Sequence, residues 1–432
     1  MTHRIWTLLS TVAAASLLAG AAFADDQAAT PAPAAPAAAP TPPPTPLSPD
    51  AWVSSIKFSG HIEAGATMNP SSPDNGVNFG HLFTDKANQL VLNQFALTAE
   101  RDPDPKATWI DFGFKLQGMY GMDSQFTHFL GEGDYQTTGR NSFDLVEANI
   151  LAHIPVLTPG GIDVKVGQFV TPLGNEVIDP TGNFFYSHSY IFNFGIPLKH
   201  TGILTTTHVS PLLDIYAGYT TGVNTSLGSR GGYNDGQFHF LGGFGLNFKN
   251  VTVLALTHIG PEDPATAPFG NIHGQLRYLN DAVITWKVND KLTSVTELNY
   301  IKDDGYNAKG GGAAEYLTYP LSAIVTGGIR VEVWRDNNAF FVAGFPGNLD
   351  YINAEYGQPN TSYNFGPSTY GAVTLGLNIK PSKLPKLIDG LTVRPEIRYD
   401  RILAGAAQFG GTPGTDKNQV TIGMDVVIPL AL

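Results

Sequence analysis

From residue 53 to its end, this chain repeats short runs of strictly alternating apolar and polar residues, and the links between them alternate between long and short. In TWIDFGFKLQGMYG, Ile110, Phe112, Phe114, Leu116 and Tyr120 share one face, and Asp111, Lys115 and Gln117 share the other. IDVKVGQFV sets Ile162, Val164 and Val166 against Asp163 and Lys165. LTVRPEIRYD sets Leu391, Val393, Ile397 and Tyr399 against Arg394, Glu396 and Arg398. Such a period of two marks a strand with two unlike faces. About sixteen runs are legible, near 53–67, 88–100, 108–121, 143–154, 162–170, 200–209, 212–221, 237–249, 251–260, 274–288, 291–302, 313–319, 321–335, 370–380, 390–401 and 419–431. Long links fall at 68–87, 122–142, 171–199, 222–236, 261–273, 303–312, 336–369 and 402–418, whereas Ser210-Pro211, Asn250 and Asn289-Asp290 are tight turns.

A soluble sandwich also alternates, but it does not make every second connection a tight turn. That rhythm predicts an all-β, antiparallel up-and-down transmembrane β-barrel of about 16 strands (about 14–18), with short periplasmic turns and long external loops. Lipid offers no hydrogen bonds, so a closed barrel must satisfy every backbone group internally, with its apolar face toward lipid and its polar face toward water. Composition agrees. Charged residues make up 14% of the chain and Gly numbers 48, against roughly 25% charged in soluble domains. Beyond the first residues no 18-residue apolar run exists, so a transmembrane helix is not expected there. Two boundaries are weak: Pro395 inside a strand predicts a bulge or an early strand end, and merging the runs at Tyr319-Pro320 would leave fifteen.

The start of the chain sets the compartment. Residues 1–24 carry Arg4, an apolar stretch and the closing triplet Ala22-Phe23-Ala24, which is the pattern of a cleaved secretory signal. Residues 25–50, rich in Pro and Ala, read as an extended periplasmic linker, leaving 51–432 as the barrel. Cysteine is absent, which excludes disulfides, thiolate metal sites and a Cys nucleophile. The net charge of −12 argues against nucleic acid as a partner.

A barrel of this size leaves a lumen too wide for its own side chains to fill. The loop 171–199, TPLGNEVIDPTGNFFYSHSYIFNFGIPLK, is compact, aromatic and rich in Gly and Pro. It is expected to fold inward and narrow the lumen, with Glu176 and Asp179 presenting carboxylates to the pore. Candidate charges around that constriction are Lys165, Arg277, Arg330, Glu332, Arg394, Glu396 and Arg398, because opposed charges order water and set ion preference. Inward bases and acids nearly balance, so the lumen gives no clear vote for cations or anions.

Taken together, GQFVTPLGNEVIDPTGNFFYSHSYIFNFGIPLKHTG, GIRVEVWRDN at 328–337, LGLNIKP at 375–381 and LTVRPEIRYD resemble the OmpL-like β-barrel porins of Gram-negative outer membranes. That resemblance implies a bacterial outer-membrane barrel that passes small hydrophilic solutes or ions by diffusion, without cofactor, metal or covalent step. Its expected surroundings are outer-membrane lipid, lipopolysaccharide and the barrel assembly machinery, and a homotrimer is one expected state. Outer-membrane barrels usually end in an aromatic residue, whereas this chain ends in PLAL with Leu432 at outward parity.

Two other classes compete with this reading. A barrel hydrolase would need a Ser–His constellation, for which Ser187, His188, Ser189 and His200 are the candidates. No nucleophile elbow or metal-ligand spacing accompanies them among eleven scattered histidines. Asp303-Asp304 and Glu262-Asp263 read as loop acids that are solvated rather than Ca²⁺-binding. A loop-occluded barrel serving as an adhesin or structural protein would use the 34-residue loop 336–369 as its outer surface.

Overall fold

The computed structural model describes residues 46–129, 132, 140–223, 225, 237–262, 274–343 and 365–432. Sixteen strands form among them. The first eight are β1 (Lys57–Met68), β2 (Gln89–Arg101), β3 (Asp111–Gly121), β4 (Ser142–Ile154), β5 (Ile162–Val170), β6 (Lys199–Ser210), β7 (Leu213–Thr220) and β8 (His239–Asn247). The rest are β9 (Val251–Pro261), β10 (Leu276–Lys287), β11 (Thr293–Asp303), β12 (Ala308–Pro320), β13 (Val325–Asp336), β14 (Ser368–Ile379), β15 (Thr392–Ala404) and β16 (Asn418–Ala431). Each pairs antiparallel with its chain neighbours. β16 returns to β1, with Gly60 opposite Leu430 and Met68 opposite Ile422, so the sheet closes and leaves no edge.

The alternation decides which way each side chain points. Phe112, Leu116, Ile150, Ile203, Leu298, Leu375 and Ile422 are exposed on the outside, where the solvent is lipid. Gln117, Glu147, Glu297, Arg330, Arg398 and Asp425 are buried on the inside. Shifts of register at Glu63/Ala64 and Gln117/Gly118 locally re-aim these faces within the strands.

Three expectations change in detail. The 303–312 link is far shorter: β12 starts at Ala308, and Gly310, Gly311 and Gly312 pair with Ile301, Tyr300 and Asn299. Glycines carry no alternation for a reader to follow, yet their backbones complete the ladder. A Cβ at Gly312 would lie 2.2 Å from the Val333 carbonyl oxygen, so the neighbouring strand needs that absence. The break after Tyr319-Pro320 is a real turn, closed by Leu321 N–H donating to the Val325 carbonyl, and the count stays at sixteen. Pro395 neither ends β15 nor makes a bulge. It sits opposite Met424 of β16, while pairing with β14 lapses at residues 394–395 and resumes at Val393 in unchanged register. The missing N–H costs a ladder bond without displacing the strand.

Residues 1–45, which hold the expected signal and most of the expected linker, lie outside the described residues. The linker's last two residues, Pro49 and Asp50, belong instead to a short helix, α1 (Pro49–Ser54). Ser48 caps it by accepting from Ala51 N–H, and Pro49 opens it with its φ already set. The helix lies at the ends of β2 and β3, where Trp52 Nε1 donates to the Phe112 carbonyl and Arg101 covers the indole at 5.2 Å.

Candidate functional site

The loop between β5 and β6, residues 171–198 and here termed L3, lies inside the barrel. Two local devices shape it. Asp179 Oδ1 accepts from Thr181 N–H and starts a 3₁₀ turn, Pro180–Gly182. Ser189 Oγ accepts from Phe192 N–H and caps a second short helix of the loop, Tyr190–Phe194. Most of its large apolar and aromatic side chains leave water: Phe185, Tyr186, Tyr190, Ile191 and Phe192 are each at most 3% exposed.

The wall receives them at positions that lack side chains. A Cβ on Gly328 of β13 would meet the Phe184 ring at 2.2 Å, and one on Gly65 of β1 would meet Tyr186 at 2.6 Å. Gly376 of β14 stands in the same relation to Phe185 at 3.0 Å. Inward strand glycines are therefore sockets for loop aromatics.

The backbone of L3 is tied to wall carboxylates. Gly174 N–H donates to Asp281 (3.1 Å) and Asn175 N–H to Glu297 (3.1 Å). Glu396 accepts from Tyr186 and Ser187 N–H at 2.9 and 3.1 Å, and Glu332 accepts from Tyr190 N–H at 2.6 Å. Guanidinium groups hold the carbonyls. Arg330 donates to Ser187 O, Arg398 to His188 O, and Arg394 to both Pro180 O and Asn183 O. Each arginine is balanced in turn: Arg330 by Glu176 (2.6 Å) and Glu332 (3.1 Å), Arg394 by Asp425 and Glu63, Arg398 by Asp400. Charged partners of this kind make the stronger hydrogen bonds.

Within L3, burial opposes ionisation of Glu176, but the Arg330 guanidinium, the His188 ring and Ser189 N–H outweigh it and hold the carboxyl down to about 2. His188 is pushed below its ordinary range by burial, although Glu176 pulls the other way. A neutral His188 ring donates through Nδ1 to the carboxylate, 3.1 Å away. It also stacks on Phe192 at 3.9 Å. Burial raises the Tyr190 phenol well above its ordinary value, and the hydroxyl donates to Asp400.

Of the nine candidate residues, the fold brings six together: Glu176, Arg330, Glu332, Arg394, Glu396 and Arg398 form the clamp on L3, and all are at most 7% exposed. They hold the loop rather than stand in open water. Asp179 is different, with a side chain 42% exposed and 3.5 Å from the His61 ring. Lys165 is half-buried on β5, over the Phe169 ring at 5.6 Å. Arg277 is apart from both, bound to Asp303 at 2.7 Å toward the outer end of the barrel. That pairing places Asp303 in β11 rather than in a loop. Asp281, Glu297, Asp425, Glu63, Gln94 and Asp400 complete the clamp without being singled out by the sequence; the alternation gives their inward direction, but no local signal gives their partners.

L3 does not fill the lumen evenly. Its ties reach β1, β2, β10, β11, β13, β15 and β16, and Tyr316 of β12 donates to Glu176. Toward β3–β9, Thr171 meets His200 of β6. On that side the wall keeps accessible charges: Lys115 (31% exposed) between Glu147 and Glu100, Asp163 (47%), and His208 (31%) bridging Asp163 and Asp214.

The hydrolase candidates are engaged elsewhere. Ser187 Oγ accepts from Arg330, Ser189 Oγ caps its helix, and His188 faces Glu176. The acid pair of the 261–273 loop is only partly visible: Glu262 accepts from Val223 N–H, and Asp263 lies outside the described residues. Most of the 336–369 loop also lies outside them.

A closed sixteen-strand barrel with a lipid-facing belt and an inward loop defines a porin-type protein of the bacterial outer membrane. The match to the family model of the putative β-barrel porin-2, OmpL-like proteins spans residues 55–430, and the chain belongs to that family. Among solved structures, an anion-selective porin from Comamonas acidovorans superposes with a TM-score of 0.55 at 9% identity, covering 87% of this chain and 99% of that one. The outer-membrane channel DcaP of Acinetobacter baumannii gives 0.49 at 11% identity, covering 87% and 97%. At 9% identity the likeness to the Comamonas porin is one of fold. No protein of curated function matches the sequence.

Proposed function

We propose that this barrel is a passive diffusion channel for small hydrophilic solutes or ions, with L3 as its constriction and the open path lying between L3 and the β3–β9 wall. The observation that carries this reading is the asymmetry of the lumen. One wall spends its charges on holding L3, and the other leaves Lys115, Lys165 and Asp163 accessible, with Asp179 of L3 exposed as well. A concentration gradient supplies the driving force, and no cofactor takes part. Opposed charges along the path order water and weight ion passage. Residues 1–24 act as the export signal and 25–50 as a periplasmic spacer in this reading.

Single-channel recording of the purified protein in a planar bilayer, with a salt gradient across it, tests the proposal. Stable conductance steps whose reversal potential moves in Lys165→Glu and in Asp179→Asn support it. A folded barrel with no conductance overturns it and leaves an occluded barrel with an adhesive or structural role.

A further inference from the structure

On the open wall, neighbouring strands bring two histidines and two aspartates into one chain of contacts. Asp163 of β5 stands opposite His153 of β4 in the register, and His208 of β6 stands opposite Asp214 of β7. His153 Nδ1 lies 2.7 Å from Asp163 Oδ1, His208 Nε2 lies 3.1 Å from Asp163 Oδ2, and His208 Nδ1 lies 2.7 Å from Asp214 Oδ1. Asn247 of β8 donates to the other Asp214 oxygen at 3.0 Å. His208 falls just before the tight turn at Ser210-Pro211, so the group stands at the periplasmic mouth of the lumen. It is open to that mouth: the His208 side chain is 31% exposed and that of Asp163 47%.

The state of His208 follows from what its two nitrogens face. An ionised carboxylate only accepts hydrogen bonds, so each ring nitrogen must carry a hydrogen to meet its aspartate. A ring with hydrogen on both nitrogens is an imidazolium. Turning the ring over sets two C–H groups against the carboxylates and loses both bonds. Moving the proton to an aspartate is the poorer choice near neutral pH, because a carboxyl ordinarily releases it at about 3.9 and an imidazole at about 6.5. His153 needs no second proton: Nδ1 donates to Asp163, and its other nitrogen lies against Gly161, where a Cβ would come within 3.0 Å.

The remaining titratable groups nearby do not replace this cation. Asp111 of β3, opposite His153, is taken by Arg101 at 3.0 Å. Tyr216 of β7 lies with Asp214 over Gly245 of β8. Lys165 is the next inward residue of β5 beyond Asp163. Among the described residues no lysine or arginine pairs with Asp163 or Asp214, and histidines alone balance them. Unlike a lysine, an imidazole changes charge close to neutral pH.

We propose that His208 is a titratable selectivity residue of the channel, whose proton sets the charge of the periplasmic mouth. This rests on the reading of the barrel as an open channel with its path along β3–β9. With the ring charged, one of the two carboxylates is balanced; with the ring neutral, neither is, and one of the two hydrogen bonds to them is lost. The added negative charge draws cations to the mouth and turns anions away.

The test is the reversal potential of single channels in a salt gradient, from about pH 5 to about pH 9, a range that brackets the ordinary histidine value. It is run on the wild type, His208→Gln and His208→Lys, each shown to be folded by heat-dependent gel mobility. The wild-type ratio of cation to anion permeability is expected to rise by about twofold across the range, the effect of one screened charge roughly a Debye length from the path. His208→Lys is expected to hold the low ratio throughout, and His208→Gln the high one. A histidine nitrogen NMR spectrum of the folded wild type at neutral pH, assigned with either variant, is expected to show hydrogen on both ring nitrogens of His208. Should one variant fail to fold, the other and the spectrum still decide. A pH dependence that survives unchanged in the variants overturns the inference, and so does a His208 ring with one bare nitrogen at neutral pH. A folded wild type without conductance is a different failure: it removes the channel reading, and the inference with it.

Discussion

The two sides of this lumen are built from the same alternating pattern and use their charges differently. Along β10–β16 and β1–β2, inward carboxylates and guanidinium groups meet L3 and disappear from water: Arg330, Arg398 and Asp400 are fully buried. Along β3–β9 the charges divide: Lys115 and Asp163 stay accessible, whereas Asp144 and Lys199 pair with each other out of water. Alternation sets only the direction of a side chain. Whether that direction leads to water or to a loop depends on where the loop lies, and L3 lies against one wall. The comparison shows that charge inside a barrel is not by itself charge in the pore.

The sharpest way to break the comparison is Arg330→Ala. It leaves Glu176 buried without its guanidinium partner, while Glu332 keeps only Arg398 at 3.3 Å; removing one partner of a buried pair costs about 3–5 kcal/mol. The expected outcome is release of L3, read as rapid proteolysis within 171–198 and a larger, noisier conductance. Unchanged protease resistance would mean that the clamp does not hold the loop.

Acid offers a second, graded way. Glu176 has its carboxyl held at about 2 in the fold, below its ordinary value of 4.5. A depressed value means that the stabilisation is complete above pH 4.5 and is lost as pH falls through 4.5 toward 2. Protease resistance of L3 should hold from neutral pH down to that window and then decline. Glu176→Gln should weaken it at neutral pH and remove the acid step that belongs to Glu176.

A milder cut is Tyr190→Phe. It keeps the ring against Tyr370 and Arg398 but deletes the hydroxyl that donates to Asp400. Loss of a hydrogen bond to a charged partner costs about 1.5–3 kcal/mol, visible as a lower unfolding temperature with the conductance step retained.

On the open wall the expectation reverses. Lys165→Glu should leave thermal unfolding unchanged and raise the cation-over-anion permeability ratio by roughly a factor of two or more, as expected of a charge beside the ion path. A loss of stability without a change in selectivity would put Lys165 with the clamp instead.

The strands were legible because two solvents, lipid and water, write their difference into every second residue. The runs at 162–170 and 251–260 fall within a residue of β5 and β9. Legibility failed where side chains vanish, as at Gly310–Gly312, and where a ring replaces an N–H without shifting register, as at Pro395. The site was half legible. Parity placed Arg394, Glu396 and Arg398 inside, and composition singled out L3. What the sequence does not show is pairing: nothing local says that Glu396 serves the N–H groups of Tyr186 and Ser187, some 210 and 209 positions away. Nor does a glycine such as Gly328 announce that an aromatic ring from another element will rest on it.

Those long separations bear on how the barrel is made. Most groups that hold L3 follow it in the chain, from 104 residues later for Gly195 and Asn299 to 214 for Pro180 and Arg394. Contacts so distant in sequence form late, after the loops between them have been closed. L3 is therefore complete long before it has anywhere to dock, and it settles only once β15 and β16 have joined the sheet. A barrel caught short of that point carries L3 without the groups that hold it.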